Sequence, residues 1–122
     1  MREKKLYFQD YIRIENTIWF SCVDMNGLFS YDIANGELKL KAVFPQNLLQ
    51  DTFMHMKMFK YKNNLMFVPF QGKYLYIYDI KKETMKAYAV DDEVKYSHYM
   101  TGVQDDNNVY LFPCRSRYII KL

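Results

Sequence analysis

Short apolar runs recur along the chain, each closed by a cluster of polar residues that includes Asn, Asp or Glu. Ile18-Trp19-Phe20 returns as Leu65-Met66-Phe67 and again as Val109-Tyr110-Leu111. Gly27-Leu28-Phe29-Ser30-Tyr31-Asp32-Ile33 returns as Tyr74-Leu75-Tyr76-Ile77-Tyr78-Asp79-Ile80. The first step is 47 residues (Ile18 to Leu65, Asp32 to Asp79), and the second is 44 (Leu65 to Val109, Pro69 to Pro113). Several landmarks keeping one offset over each step mark a structural repeat, and a period of this length points to stacked supersecondary units.

Within each unit the pattern predicts short strands separated by turns. First strands are expected over Phe8–Ile14, His55–Tyr61 and Tyr99–Asp105, and second strands over Ile18–Val23, Leu65–Phe70 and Val109–Cys114. Third strands follow over Leu28–Ile33, Tyr74–Ile80 and Tyr118–Leu122, and fourth strands over Glu37–Val43 and Thr84–Val90. The punctuation at Asn16, Asn63-Asn64 and Asp106-Asn107-Asn108 supplies residues that tolerate left-handed backbone, and Asn35-Gly36 is a strong hairpin signal. Leu65-Met66-Phe67-Val68 and Tyr74 to Tyr78 are apolar on both faces, as strands in sheets covered on both sides must be. Helix is supported nowhere beyond a turn within Gln46–Asp51.

Four antiparallel strands in 44–47 residues, with both faces covered, describe a β-propeller blade. The Gly-Leu-Phe-Ser-Tyr-Asp-Ile and Tyr-Leu-Tyr-Ile-Tyr-Asp-Ile segments resemble the third strand of bacterial kelch-like and related propellers. The resemblance covers most of Phe8–Leu122, without the Gly-Gly pair of kelch blades or the Trp-Asp pair of WD40 blades, and so reaches the superfamily only. The expected fold is all-β: one domain over 1–122 with about three four-stranded blades, near 7–43, 53–90 and 98–122, the last incomplete.

Known propellers close with roughly four to eight blades, and three leave two open ends. Met1–Lys5 is too short and too charged for a fourth strand of the last blade. Uncovered apolar faces and sheet edges are normally buried. The first expectation is therefore a homo-oligomer, with a dimer supplying about six blades. A partner that completes the ring is the second, and a fragment of a longer propeller protein the third.

Composition changes this picture little. Tyr (12), Phe (9) and Trp (1) make up 18% of the chain, which suits pleated sheets. A net charge of +3, scattered along the sequence, argues against nucleic acid as partner. No apolar run approaches the roughly 18 residues of a membrane helix, and the charged N-terminal stretch is not a signal peptide. Cys22 and Cys114 form no disulfide framework, so a reducing, cytoplasmic setting is expected.

In a propeller the turns between second and third strands share a rim with the connections between blades. That rim, the channel mouth, is expected to gather Asp24, Lys73, Arg115 and Arg117 with Tyr96, His98, Tyr99 and His55. Arginine, lysine and tyrosine together suit an anionic or sugar-like ligand. The plainer reading is that these are solvated turn residues. His55 and His98 occupy nearly equivalent positions but have no carboxylate at metal spacing, so no metal is expected. Met54, Met56 and Met58 would share one strand face, and blade packing explains them better than copper(I). Asp91-Asp92-Glu93 and Asp105 to Asn108 lack the spacing of a calcium loop. No nucleotide-binding glycine loop is found among four dispersed glycines, and no cofactor is expected.

The favoured function is thus a non-catalytic ligand- or protein-binding scaffold. The competing reading is a carbohydrate-active or other hydrolytic enzyme working at the mouth, with His55, His98 or Asp24 in acid–base roles. Glycosidase chemistry needs two carboxyl groups about 5–10 Å apart, and only Asp24 is placed at the mouth, with Asp91–Glu93 as a second source.

Overall fold

A computed structural model describes residues 7–46, 50–90 and 94–122. Among them lie eleven strands in three antiparallel sheets, and neighbours in each sheet are neighbours in sequence. The first blade holds β1 (Phe8–Ile14), β2 (Thr17–Cys22), β3 (Gly27–Asp32) and β4 (Leu38–Val43). The second holds β5 (His55–Tyr61), β6 (Asn64–Pro69), β7 (Tyr74–Asp79) and β8 (Thr84–Ala89). The third has three strands, β9 (Tyr99–Gln104), β10 (Val109–Pro113) and β11 (Ile120–Lys121). The architecture is a partial propeller, and every expected strand is present to within about two residues. Residues 1–6, 47–49 and 91–93, with the expected turn near Gln46–Asp51 and the acidic run Asp91–Glu93, lie wholly or partly outside the described residues.

The repeat is legible in the backbone. Asp32 Oδ1 accepts the N–H groups of Ala34 and Asn35, and 47 residues on, Asp79 Oδ1 accepts those of Lys81 and Lys82. This side-chain turn explains the recurring Tyr-Asp-Ile. Positive φ recurs at the same offset, at Glu15 and Lys62 (both 53°) and at Gly36 (71°) and Glu83 (54°). In the first hairpins the left-handed residue is therefore Glu15 or Lys62 and not the neighbouring asparagine. The asparagine carbonyls are instead used across the sheet, Asn16 O accepting from Ile33 N–H and Asn63 O from Ile80 N–H, both at 2.8 Å.

Each innermost strand also carries a β-bulge at an equivalent place, after Phe8, His55 and Tyr99. The extra residue shifts every following side chain to the opposite face. As a result His55 and Met58 face the same interface, and the strict alternation expected over Met54–Met58 is corrected. The bulge also places Asp10 beside the second blade, where Oδ2 accepts the Met58 N–H at 2.9 Å and lies 3.6 Å from Lys57 Nζ.

Two apolar cores lie between the blades. Trp19, Leu28, Phe44, Met58, Leu65, Phe67, Tyr76 and Tyr78 fill the first. Phe59, Met66, Val68, Leu75, Tyr99, Val109 and Leu111 fill the second. The second blade is sandwiched, with alternate residues of β6 serving opposite cores, which accounts for its unbroken apolar sequence.

The outer faces of the end blades are different. On the first blade, cross-strand register aligns Tyr11, Phe20, Phe29 and Leu40 in one row and Ile18, Tyr31 and Leu38 in the next. On the third blade, Val103 and Tyr110 pair on the corresponding outer face.

Candidate functional site

The expected mouth is assembled by backbone hydrogen bonds that repeat at the 44-residue offset. Gln71 N–H bonds Phe53 O and Phe70 N–H bonds Met54 O; Arg115 N–H bonds Ser97 O and Cys114 N–H bonds His98 O. Phe53 and Ser97, the residues that turn each connection into its new blade, both adopt positive φ (52° and 56°). Phe53 N–H reaches back to Val23 O, and His98 N–H to Phe70 O, so each connection is stitched to the blades on both sides. These bonds fix the rim's shape, and they also establish that Met54, not His55, is the counterpart of His98. His55 corresponds to Tyr99, each opposite a proline of the second strand.

Four of the expected residues lie exposed on this rim: Lys73, Tyr96, Arg115 and Arg117. The Arg115 guanidinium sits 5.0 Å from the centre of the Tyr96 ring, bringing one cation and one aromatic together. Asp24 is half-buried, with Oδ1 accepting the Tyr7 N–H at 3.4 Å.

The other three are interior. His55 lies against Phe44, Phe67 and Tyr76, its ring centre 4.2 Å from that of Phe44. Neither of its ring nitrogens has a hydrogen-bond partner among the described residues, and burial pushes its pKa down to about 3. It is a neutral core aromatic. His98 is fully buried and stitched through its backbone. Tyr99 is also buried, and its hydroxyl donates to Tyr118 O at 2.9 Å. Cys22 is buried, and burial followed by the nearby charge of Asp24 pushes its thiol up to about 11, so it stays protonated and unreactive. Among the described residues no three His, Cys, Asp or Glu side chains group to hold a metal ion.

Sequence reasoning missed several concavities, among them one of about 480 Å³ between the first two blades, lined by Lys39, Leu40, Lys41, Tyr78 and Glu83. On the opposite rim, between the β5–β6 and β9–β10 hairpins, a groove of about 580 Å³ is lined by Lys60, Lys62, Gln104, Asp105 and Asn107. Gln104 Nε2 donates to Lys60 O across it, and the backbone N–H groups of Asn107 and Asn108 hold the Asp105 carboxyl below its usual range. Two more adjoin each other at Ile77 and Tyr88, the first between the outer parts of the second and third blades and the second on the second blade alone. One, of about 250 Å³, is apolar and includes Leu75, Ile77, Tyr88, Val90, Ile120 and Leu122. The other, of about 280 Å³, includes Asn64, Asp79, Lys82, Thr84 and Lys86.

The sequence matches no protein-family model and no curated protein. Among solved structures the chain is similar to the N-terminal domain of Nup159, a β-propeller, with a TM-score of 0.55 and 13% identity. The likeness covers 95% of this chain and 30% of that one. It concerns the fold alone, and supports the propeller level of the resemblance without singling out kelch-like or bacterial relatives. The chain spans about 30% of the length of the chain it resembles. No helix among the described residues is long and apolar enough to cross a membrane.

Proposed function

We propose that the chain is a non-catalytic binding or scaffolding module whose working form arises by association, a second copy covering its open blade faces. One comparison within the repeat carries this reading. Tyr11, on the first blade, is 64% exposed, whereas Met58, its counterpart 47 residues on, is 2% exposed against the preceding blade. At the other end Phe112 is 38% exposed, whereas Val68, its counterpart 44 residues earlier, is fully buried by the following blade. At these two positions the side chain is covered where a neighbouring blade exists and exposed where none does, whereas Phe20 and Phe29, in the row of Tyr11, are buried within the first blade itself. Large open apolar faces mark association surfaces.

Two copies meeting first blade to third blade would bring these faces together and place two rims on one axis. Lys73, Tyr96, Arg115 and Arg117, with Asp24 at the edge, would then offer an anionic or sugar-like ligand charge, aromatic surface and forked donors. The free cysteines fit a reducing, cytoplasmic setting.

Light scattering on a gel-filtration column tests the association. A stable species near twice 14.8 kDa supports it, and a well-behaved monomer at micromolar concentration overturns it. The second reading, a segment completed by further blades or by a partner, is favoured by the 30% coverage of the Nup159 domain. A stable monomer would turn attention to that reading.

A further inference from the structure

The first and second blades are both four-stranded, and the pocket of about 480 Å³ between them is walled by β4 on one side and by β7 and the β7–β8 hairpin on the other. Both walls are in place, so the pocket is the same however many blades complete the ring. It opens towards the β3–β4 and β7–β8 hairpins, at the opposite end of the strands from the rim of Lys73 and Arg115.

A bulge shapes the first wall. Leu28 lies opposite Ala42 and Phe29 opposite Leu40, which leaves Lys41 as the extra residue of β4. Bulges re-aim the side chains around them. Here Leu40 keeps its place in the row of Phe29, while Lys39, opposite Ser30, and Lys41 both reach the second blade. The facing wall offers Tyr78, which is buried against Trp19, with ring centres 5.8 Å apart. The Tyr78 hydroxyl has no hydrogen-bond partner among the described residues. A buried hydroxyl is normally paired, so this one lacks an acceptor. Burial raises its pKa above the ordinary value, and it keeps its proton as a donor.

The acceptor nearest to hand is the Glu83 carboxylate. Its Oε1 meets Lys41 Nζ at 2.6 Å, and that hydrogen bond, with the charges of Lys41 and Lys39, holds its pKa below the usual carboxylate range. Glu83 stands in the hairpin at a φ of 54°, and its side chain is largely exposed. It therefore meets the lysines from the solvent side and leaves the Tyr78 hydroxyl unpaired. Lys39 also lies 3.6 Å from Glu37, an exposed pair that holds it weakly. Each ammonium group has three donors, so the pocket offers more donors than its own carboxylates use.

We propose that this pocket binds a small oxyanion, a phosphate or carboxylate group, received by the ammonium groups of Lys39 and Lys41 and the hydroxyl of Tyr78, with the Glu83 carboxylate as its internal competitor. Only a group with several acceptor atoms can engage both cations and the hydroxyl at once, and charge-assisted hydrogen bonds of this kind are the stronger ones. The incoming anion takes the place of Glu83 on Lys41, and the released carboxylate turns to solvent. The site lies away from the mouth and is formed within one chain, so it is independent of the association proposed above.

The test is calorimetric titration of the full chain with inorganic phosphate and, separately, with acetate, at constant ionic strength in chloride. Saturable binding of at least one is expected, and the ratio of the two affinities tells a phosphoryl ligand from a carboxylate. Tyr78→Phe removes only the hydroxyl and should weaken binding about tenfold without lowering the melting temperature. Lys41→Met should weaken it by at least about tenfold. Glu83→Gln, which removes the competitor, should tighten it about tenfold; a merely structural ion pair would give no such gain. No saturable binding of either anion at millimolar concentration would overturn the proposal. So would binding indifferent to both Tyr78→Phe and Lys41→Met, which would place the anion elsewhere.

Discussion

The carboxylate of Asp10, set at the bulge of the first inner strand, accepts the backbone N–H of Met58 in the second blade at 2.9 Å. A half-buried ionised acceptor on a main-chain donor is among the stronger single hydrogen bonds in a protein. It links two blades across a largely apolar interface, which also carries the Lys41–Glu83 ion pair. Asp10→Ala should lower the unfolding free energy by about 1–3 kcal/mol, measured by urea denaturation. Asp10→Asn keeps an acceptor and should lose less; equal losses would rule out the bond as the cause.

His55 should make the fold acid-sensitive well above the range where carboxylates titrate. Its folded pKa is down to about 3 from 6.5. The unfolded chain therefore binds a proton that the folded one refuses between those values. Stability is complete above pH 6.5 and falls progressively towards pH 3, by on the order of 4 kcal/mol at the lower end. The lowered Glu83 and Asp105 act in the same direction, but only below their ordinary values of 4.5 and 3.8. His55→Phe should flatten the profile between pH 6.5 and 4.5. A slope retained in that window would remove His55 as its source.

Gly102 is needed for space. A Cβ there would stand 2.6 Å from Tyr110 O, a backbone atom that cannot swing aside, and 3.1 Å from the Phe59 ring. Gly102→Ala should cost about 1–3 kcal/mol and lower the melting temperature, with β9 pulled from β10. An unchanged melting temperature would mean that the third blade gives way freely.

Glu15 holds φ at 53°, a backbone region that disfavours side chains. Its carbonyl, which accepts the Arg13 Nε–H at 2.9 Å, survives substitution. Glu15→Gly should therefore raise stability by about 0.5–1 kcal/mol. A loss measured by denaturation would show that the side chain contributes more than the strain it bears.

Leu40 is 47% exposed at the end of a row on the first blade's outer face, beyond the buried Phe29 and Phe20. If that row is an association surface, Leu40→Glu should convert a dimer to monomers in light scattering and leave the circular dichroism unchanged. Dimers that persist would place the contact elsewhere.

Strand order, strand bounds and the three-unit repeat could be read directly because they are local: period-two hydrophobicity and turn residues act over a few positions. Asp32 and Asp79 illustrate this, since each closes its turn with N–H groups two and three residues away. The candidate rim was only half legible. Lys73, Tyr96, Arg115 and Arg117 lie exposed on it as turn chemistry suggests. His55, His98 and Tyr99 lie inside, because a bulge and a one-residue difference in repeat register decide which way a side chain faces.

The sequence by itself determined an all-β chain of three repeated units, the last short by a strand, because alternation and turn chemistry are written residue by residue. Only the tertiary structure decided that Asp10 ties two blades together and that His55 is buried with no hydrogen-bond partner among the described residues. Those outcomes depend on which faces come together across 40 or more residues, and a single bulge is enough to reverse a face.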